Sequence, residues 1–297
     1  MNVTMDLNKL SYETKRALAK DEQTSSEFLA ALATDSDPRI RILVAWHSST
    51  PSEVLDALAN DGDSVVRRAV ATNKNTFAKT LANLANDISE EVRIAVAENV
   101  NTPSHILTLL AEDKNAWVRQ SVASNPNTSP ETLESIAEDT MQFVREAVVQ
   151  NGNAPIKLLA MLSQDKHWLV REAVAKNENT PKEALAVLAK DIDWRVRVAV
   201  AENESISVDV LAMLAKDEDS GVRYEVAQNE NTTAEILSPL AKDEEEDIRY
   251  MVACNKNTSA KDLGKLVRDK DAYVKEEASK NLTKHKLDAK RSGKELI

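Results

Sequence analysis

Residues 113–138 of the chain read DKNAWVRQSVASNPNTSPETLESIAE, and variants of this segment recur along nearly the whole sequence. The clearest marker is an arginine that follows valine or isoleucine, and consecutive copies of it lie 26 residues apart without any insertion. The series is Arg41, Arg67, Arg93, Arg119, Arg145, Arg171, Arg197, Arg223 and Arg249. Aspartate and asparagine series with the same step begin at Asp35 and Asn73. A fixed period of this length predicts a solenoid built from stacked repeats.

One repeat contains signals for two short helices. Thr50, Pro51 and Glu53 form a capping-box pattern, which predicts a first helix of about ten residues beginning there. Asp63 is a candidate N-cap for a second helix, and Asn73 is predicted to close that helix in the left-handed backbone conformation. Helices this short are unstable alone in water, so packing on neighbouring repeats has to stabilise them.

Two apolar positions recur in every repeat and are expected to form the core. The first is Leu29, Leu55, Leu81, Leu107, Leu133, Leu159, Leu185, Leu211, Leu237 and Leu263. The second is Ile40, Val66, Val92, Val118, Val144, Val170, Val196, Val222, Ile248 and Val274. Aromatic residues are only 4% of the chain, so aliphatic residues must fill a thin, repetitive interior.

Length and repeat boundaries predict one elongated domain of stacked repeats. The 297 residues divide into an N-terminal capping segment (1–21), ten tandem repeats of 26 residues (22–281) and a basic C-terminal cap or tail (282–297). The fold class is therefore all-α, a solenoid of about ten two-helix repeats.

Charge and cysteine content restrict the function classes. The net charge of −11 disfavours nucleic acids and anionic membranes as partners, because such binders carry an excess of lysine and arginine. The single cysteine, Cys254, excludes an internal disulfide and a multi-cysteine metal site, and it indicates a reducing compartment. With no secretory signal and no membrane-spanning run, we expect a cytoplasmic monomer.

The repeat motif Leu-Ala-x-Asp-x-Asp-x-x-Val-Arg-x-x-Val-Ala-x-Asn, as in Leu188–Asn203, resembles the variant leucine-rich repeat family, which is related in architecture to HEAT and armadillo arrays. This resemblance implies a right-handed superhelix of two helical layers without a sheet. It covers the chain from about Tyr12 to Asn281. The family's founding type also resembles an iron–sulfur protein through an N-terminal cysteine cluster. No such cluster is present here, so no cofactor is expected.

The repeated charged residues have two interpretations. A row of arginines could bind phosphate or carboxylate groups. Alternatively, Asp61 and Arg67, and each equivalent pair, form ion pairs within or between repeats that fix the stacking. We favour the second, because a binding site needs asymmetry. The four histidines occupy different repeat positions and predict no metal site: His47, His105, His167 and His285.

The central repeats depart from the pattern at the start of the second helix. The N-cap position becomes Met141 and His167, which predicts that two repeats lose their cap, and large apolar residues appear beside it. We expect these residues to line one edge of the solenoid: Trp117, Met141, Phe143, His167, Trp168, Leu169 and Trp194. Exposed aromatic clusters are typical of protein-binding hot spots. The alternative is local repacking that widens the core.

These observations favour a non-catalytic scaffold or adaptor that presents an extended surface to a protein or peptide. One alternative is a nucleic-acid-binding protein similar to HEAT-like DNA glycosylases, which hold duplex DNA in a basic concave face. Another is an accessory subunit of an enzyme. The sequence predicts no catalytic residues, because no glycine-rich phosphate loop and no distinct carboxylate pair stands out.

Overall fold

A computed structural model describes residues 10–291, with side chains as far as residue 287. This range contains 21 helices and no strand, which confirms the all-α repeat fold. The chain divides into two compact units, Met1–Ala154 (the N-terminal unit) and Pro155–Ile297 (the C-terminal unit). Residues 1–9 and 292–297 of the predicted terminal segments lie outside the described residues.

The N-terminal unit begins with α1 and continues with five pairs of helices, each a first helix of seven residues and a second of nine. The helices are α1 (Tyr12–Lys20), α2 (Ser26–Leu32), α3 (Pro38–Trp46), α4 (Ser52–Leu58), α5 (Ser64–Thr72), α6 (Ala78–Leu84), α7 (Glu90–Glu98), α8 (Ser104–Leu110), α9 (Ala116–Ser124), α10 (Pro130–Ile136) and α11 (Gln142–Gln150).

The C-terminal unit contains five further pairs, the last of which ends in a helix of 20 residues. The helices are α12 (Ile156–Leu162), α13 (Trp168–Lys176), α14 (Lys182–Leu188), α15 (Trp194–Glu202), α16 (Val208–Leu214), α17 (Ser220–Gln228), α18 (Ala234–Leu240), α19 (Glu246–Cys254), α20 (Ala260–Leu266) and α21 (Ala272–Arg291). Within each unit, consecutive second helices pack on one another.

The predicted capping box at Thr50 is wrong. Helix α4 begins at Ser52 after Pro51, and no side chain caps it. Thr50 is fully buried and donates its hydroxyl to the Val44 carbonyl oxygen (2.5 Å) at the end of α3. The hydroxyl therefore provides a hydrogen-bond donor at the C-terminus of the preceding second helix, where the last carbonyl groups have no partner within the helix. Because Thr50 and Pro51 stay outside α4, the first helix is shorter than predicted.

The predicted core columns are confirmed. Every leucine from Leu29 to Leu263 and every residue from Ile40 to Val274 in the two series is at most 1% exposed. A further column lies one turn beyond the second series, and Val44, Val70 and Val96 are its first members. Burial of a leucine or valine side chain contributes about 1.5–3 kcal/mol, so these columns account for the stability of helices too short to persist alone.

The asparagine series binds neighbouring repeats together rather than adopting the predicted left-handed cap. Asn73 ends α5 with φ −71° and ψ 130°, which is extended backbone. Its Nδ2 donates to the carbonyl oxygens of Ala45 (2.7 Å) and His47 (3.1 Å) in the preceding repeat. Its Oδ1 accepts from the backbone N–H of Asn75 (2.9 Å). One buried amide therefore satisfies three backbone groups at the junction of two repeats.

His47 occupies the same repeat position as Asn73 and performs a similar role. Its Nε2 lies 2.9 Å from the Asp21 carbonyl oxygen, and its Nδ1 accepts from the Ser49 backbone N–H (3.1 Å). Its ring is 7% exposed. The histidine is thus a structural substitute for asparagine at this position.

The ion pairs form between repeats, which is one of the two arrangements considered for the arginine and aspartate series, and Asp61 pairs with Arg41 rather than with Arg67. The Arg41 guanidinium binds both carboxylate oxygens of Asp61 (2.5 and 2.9 Å), while Arg67 binds Asp87. Arg67 still contacts its own turn, because its Nη1 donates to the Asp61 backbone oxygen (2.8 Å). We call this series of arginine–aspartate pairs, from Arg41–Asp61 to Arg249–Asp269, the ladder. Because bidentate pairing fixes the geometry of both side chains, the ladder holds each turn in a defined position.

Candidate functional site

The candidate residues lie where each second helix begins, directly after the turn that the ladder holds. In the C-terminal unit, Asp191 binds Arg171 of the preceding repeat through both carboxylate oxygens (2.5 and 2.8 Å). The same carboxylate accepts from the Asp193 backbone N–H (2.9 Å). Asp193 in turn accepts from the Arg195 backbone N–H (3.0 Å) and caps α15. Side chains on this edge therefore project from a fixed backbone.

The N-terminal unit presents a stacked aromatic pair. Trp117 and Phe143 are both the second residue of their helices, and their ring centroids lie 4.7 Å apart at an interplanar angle of 19°. Trp117 remains 56% exposed. Met141, the N-cap residue of α11, is 37% exposed and makes no side-chain cap. The structure thus places these three predicted residues on the edge of adjacent repeats.

The C-terminal unit contains the other four predicted residues. His167 precedes α13, and Trp168 and Leu169 are its first two residues, all half-buried. The His167 and Trp168 rings stack with centroids 6.3 Å apart. Trp194, the first residue of α15, is 48% exposed. We call Trp168, Trp194 and the neighbouring Arg195 the tryptophan cluster.

Of the two helix caps predicted to be lost, the one at Met141 is absent and the one at His167 is present. Met141 lacks a cap bond, but His167 Nδ1 accepts from the Leu169 backbone N–H (3.3 Å) and so replaces the usual aspartate. Ser89 and Glu245 also make no side-chain cap. Because a neutral imidazole nitrogen accepts a hydrogen bond as a carboxylate does, the sequence change at this position does not remove the cap.

Arg195 is the functional candidate that the sequence reasoning missed. Its guanidinium lies 3.7 Å from the centroid of the Trp168 ring and 5.9 Å from that of Trp194. Its Nε and Nη2 donate to the two carboxylate oxygens of Asp193 (2.9 and 2.8 Å). This hydrogen bond to Asp193 raises the pKa of Arg195. A fixed, charge-compensated guanidinium therefore connects the two tryptophans.

A sequence signal for this arrangement exists in the first repeat. Arg39 binds both carboxylate oxygens of Asp37, and its guanidinium lies 4.4 Å from the ring centroid of Tyr12. Tyr12, Asp37 and Arg39 occupy the repeat positions of Trp168, Asp193 and Arg195. The pattern Asp-x-Arg, preceded in the previous repeat by an aromatic residue, therefore accompanies the stacked arrangement at both places.

Trp194 also reaches the next repeat. A Cβ placed on Gly221, the second residue of α17, would lie 4.0 Å from Cζ3 of the Trp194 ring and 3.0 Å from Oδ1 of Asp219. The ring is thus within van der Waals reach of the start of α17, while about half of its surface remains open. Trp194 is neither a core residue nor a free side chain.

The remaining chemical candidates are accounted for structurally. Each described ladder arginine is engaged by an aspartate of the next repeat or by backbone carbonyls, which disfavours a phosphate-binding row. No group of three or more histidine, cysteine or acidic residues in the described range could hold a metal ion. Cys254 is a free, exposed cysteine. None of the helices described combines the length and hydropathy that crossing a membrane requires.

Comparison with known proteins supports the fold. No protein-family model and no curated protein matches the chain. Among solved structures, one described as a leucine-rich repeat variant with a novel repetitive structural motif matches with a TM-score of 0.59 and 29% identity, covering 73% of this chain and 87% of that one. The chain is similar to a leucine-rich repeat variant. The resemblance indicated by the repeat motif is thereby confirmed.

Two weaker matches do not bear on the fold. An engineered protein aligns at 18% identity over 91% of this chain and 94% of its own, with a TM-score of 0.37. The Escherichia coli protein YibA aligns at 17% identity over 93% and 98%, with a TM-score of 0.36.

Proposed function

We propose that the chain is a non-catalytic scaffold or adaptor that binds a protein or peptide through the edge formed by the starts of its second helices. The observation that carries this proposal is the tryptophan cluster. Trp194 is about half exposed, and Arg195 is held between its bond to Asp193 and its contact with Trp168. Tryptophan and arginine dominate binding hot spots, and a preordered cluster loses little entropy on binding.

The cluster is not required by the repeat architecture. The position of Trp168 and Trp194 is filled by Ser64, Glu90 and Ala116 in other repeats that form the same nine-residue helix. The core columns are complete without these tryptophans. Large aromatic side chains retained in half-exposed positions therefore favour a surface role over a packing role.

The proposal extends to compartment and assembly. We place the protein in the cytoplasm, because its single cysteine forms no disulfide and so gives no sign of an oxidising compartment. We further propose that it is a monomer. The net charge of −11 favours a protein partner over nucleic acid. We also assign residues 1–21 and 282–297 to caps of the array; Lys15 supports this by binding Asp35 (2.6 Å) at the ladder position of arginine.

A random peptide library displayed on phage tests the proposal. Wild-type protein is expected to enrich peptides that the double variant Trp168→Ala, Trp194→Ala no longer binds. Hot-spot tryptophans contribute at least about 2 kcal/mol each, so affinity should fall at least about thirty-fold per residue. Trp46→Ala is the matched control, because Trp46 is 49% exposed but lies at the other end of its helix.

Two results would overturn the proposal. One is enrichment of peptides that bind wild type and double variant equally, which would locate binding elsewhere. The other is loss of binding in the Trp46→Ala control to the same extent, which would indicate non-specific attraction to exposed tryptophan. Circular dichroism of the double variant should show unchanged helix content, since both side chains lie outside the core columns.

A further inference from the structure

The edge beyond Trp194 in the C-terminal unit is strongly acidic. In the next repeat the turn carries Glu218, whose side chain is 93% exposed. In the repeat after that, four consecutive acidic residues are exposed where α19 begins: Glu244, Glu245, Glu246 and Asp247. Because equal positions of successive repeats lie side by side, these carboxylates continue the row that begins at the tryptophan cluster.

These carboxylates are available, unlike those of the ladder. Asp217 and Asp243 bind Arg197 and Arg223 through both oxygens. Glu218 comes no closer than 3.9 Å to Arg197, whose guanidinium is already occupied by Asp217. Within the described residues, no salt bridge is formed by Glu244, Glu245, Glu246 or Asp247. Glu244–Asp247 can therefore pair with cations of a partner, and Glu218 makes only a long contact of 3.9 Å.

The lysines next to this edge form no ion pairs with its exposed acids in the described structure. Lys216 and Lys242 lie just before the two turns, but in the described structure neither forms a salt bridge with the exposed acids. Arg195 is compensated by its bidentate bond to Asp193. The half-exposed Trp194 therefore stands at the beginning of a row whose exposed side chains are mainly acidic, which favours a cation as the group that contacts its ring.

We propose that this surface, from Trp194 to Asp247, binds a basic segment of a partner protein, with one lysine or arginine against Trp194 and others paired with Glu218 and Glu244–Asp247. The inference rests on the proposed scaffold function and specifies its partner class. The protein itself shows the recognition geometry, since Arg195 lies 3.7 Å from the Trp168 ring centroid. Charge complementarity selects a basic segment over an acidic or neutral one.

Fluorescence anisotropy with a labelled synthetic peptide of alternating arginine and serine tests this inference. Trp194→Ala should weaken binding about tenfold or more, because a cation desolvated on a tryptophan is strongly attracted. Glu244→Gln with Glu246→Gln should weaken it about three- to tenfold, since exposed ion pairs contribute modestly. Glu178→Gln with Glu183→Gln is the matched control: it makes the same charge change at exposed sites away from the edge, and binding should stay near wild type.

The outcomes separate this inference from the scaffold proposal. Equal weakening by both glutamine pairs, or full binding by Trp194→Ala, would overturn the basic-segment assignment. If the phage library instead enriches tryptophan-dependent peptides without lysine or arginine, the scaffold function stands and this inference fails. Self-association in sedimentation that Trp194→Ala abolishes would assign the surface to a second copy and also overturn it. Library peptides rich in lysine and arginine that require Trp194 would support both proposals.

Discussion

Arg67 of one repeat binds Asp87 of the next through two parallel hydrogen bonds, from Nε to Oδ2 (2.6 Å) and from Nη2 to Oδ1 (2.8 Å). The same arginine donates from Nη1 to the backbone oxygen of Asp61 in its own turn (2.8 Å). One side chain therefore connects two consecutive turns. In a solenoid, where stability is the sum of repeats and the interfaces between them, such contacts belong to the interface.

Arg67→Ala is expected to destabilise the protein by about 2–4 kcal/mol. The change leaves the Asp87 carboxylate, whose side chain is only 8% exposed, without its cationic partner. Urea denaturation followed by circular dichroism measures the loss. Arg68→Ala is the control, because Arg68 is the exposed neighbour in the same helix and should change stability by less than about 0.5 kcal/mol. Equal effects of the two variants would contradict an interface role for the ladder.

Acid should destabilise the protein through the ladder aspartates. The hydrogen bond from Arg41 lowers the pKa of Asp61. Burial raises the pKa of Asp87, but the bonds from Arg67 and the Ser89 N–H outweigh it and lower that pKa overall. Since the folded pKa lies below the unfolded one, the unfolded chain binds protons first as pH falls, and stability is lost below about pH 4.5.

The urea midpoint is therefore expected to be flat from about pH 7 to about pH 5 and to fall steeply below that range. Glu225 acts in the opposite direction, because burial and the nearby Glu202 raise its pKa. Glu225 is a single residue, whereas a whole series of aspartates has a lowered pKa, so the aspartates are expected to determine how stability changes with pH. A midpoint that already falls between about pH 7 and about pH 6 would show that other groups dominate.

Leu133→Ala tests the core column. Leu133 is fully buried in α10, so removal of its side chain should cost about 2–4 kcal/mol, from lost burial and the cavity left behind. Leu109→Ala is the matched control, since Leu109 is 63% exposed in the equivalent helix of the preceding repeat. If Leu133→Ala lowers the free energy of unfolding by less than about 0.5 kcal/mol, burial of the leucine column does not stabilise the fold.

The fold could be predicted from the sequence because the period repeats the same local signals many times. The arginine spacing, the leucine columns and the Asp63 cap all point to the same stacked helices, and agreement between levels specifies a fold. The direction of individual hydrogen bonds could not be predicted this way. Thr50 lies between α3 and α4, so its hydroxyl could cap the start of α4 or donate to a carbonyl at the end of α3. Only the packed structure shows that it donates to the Val44 carbonyl oxygen.

The candidate site was only partly predictable for a related reason. Trp117 and Phe143 share one repeat position, so their stacking follows from the period. Trp168 and Arg195 stand at neighbouring positions in different repeats, and their contact depends on side-chain directions that the period does not specify. The bidentate bond to Asp193 orients Arg195. Specificity at this edge thus arises from side-chain geometry on a repetitive backbone.

Asn125→Ala is expected to destabilise the protein by about 2–4 kcal/mol, although it removes few carbon atoms. The Asn125 Nδ2 donates to the carbonyl oxygens of Ala97 (2.7 Å) and Asn99 (3.1 Å), and its Oδ1 accepts from the Asn127 N–H (2.8 Å). The side chain is buried, so alanine leaves several backbone groups without partners at one repeat junction. Asn86→Ala, at an exposed position, should cost less than about 0.5 kcal/mol in the same urea titration. If the two variants unfold at the same midpoint, water replaces the amide at the junction, and the asparagine series does not hold the repeats together.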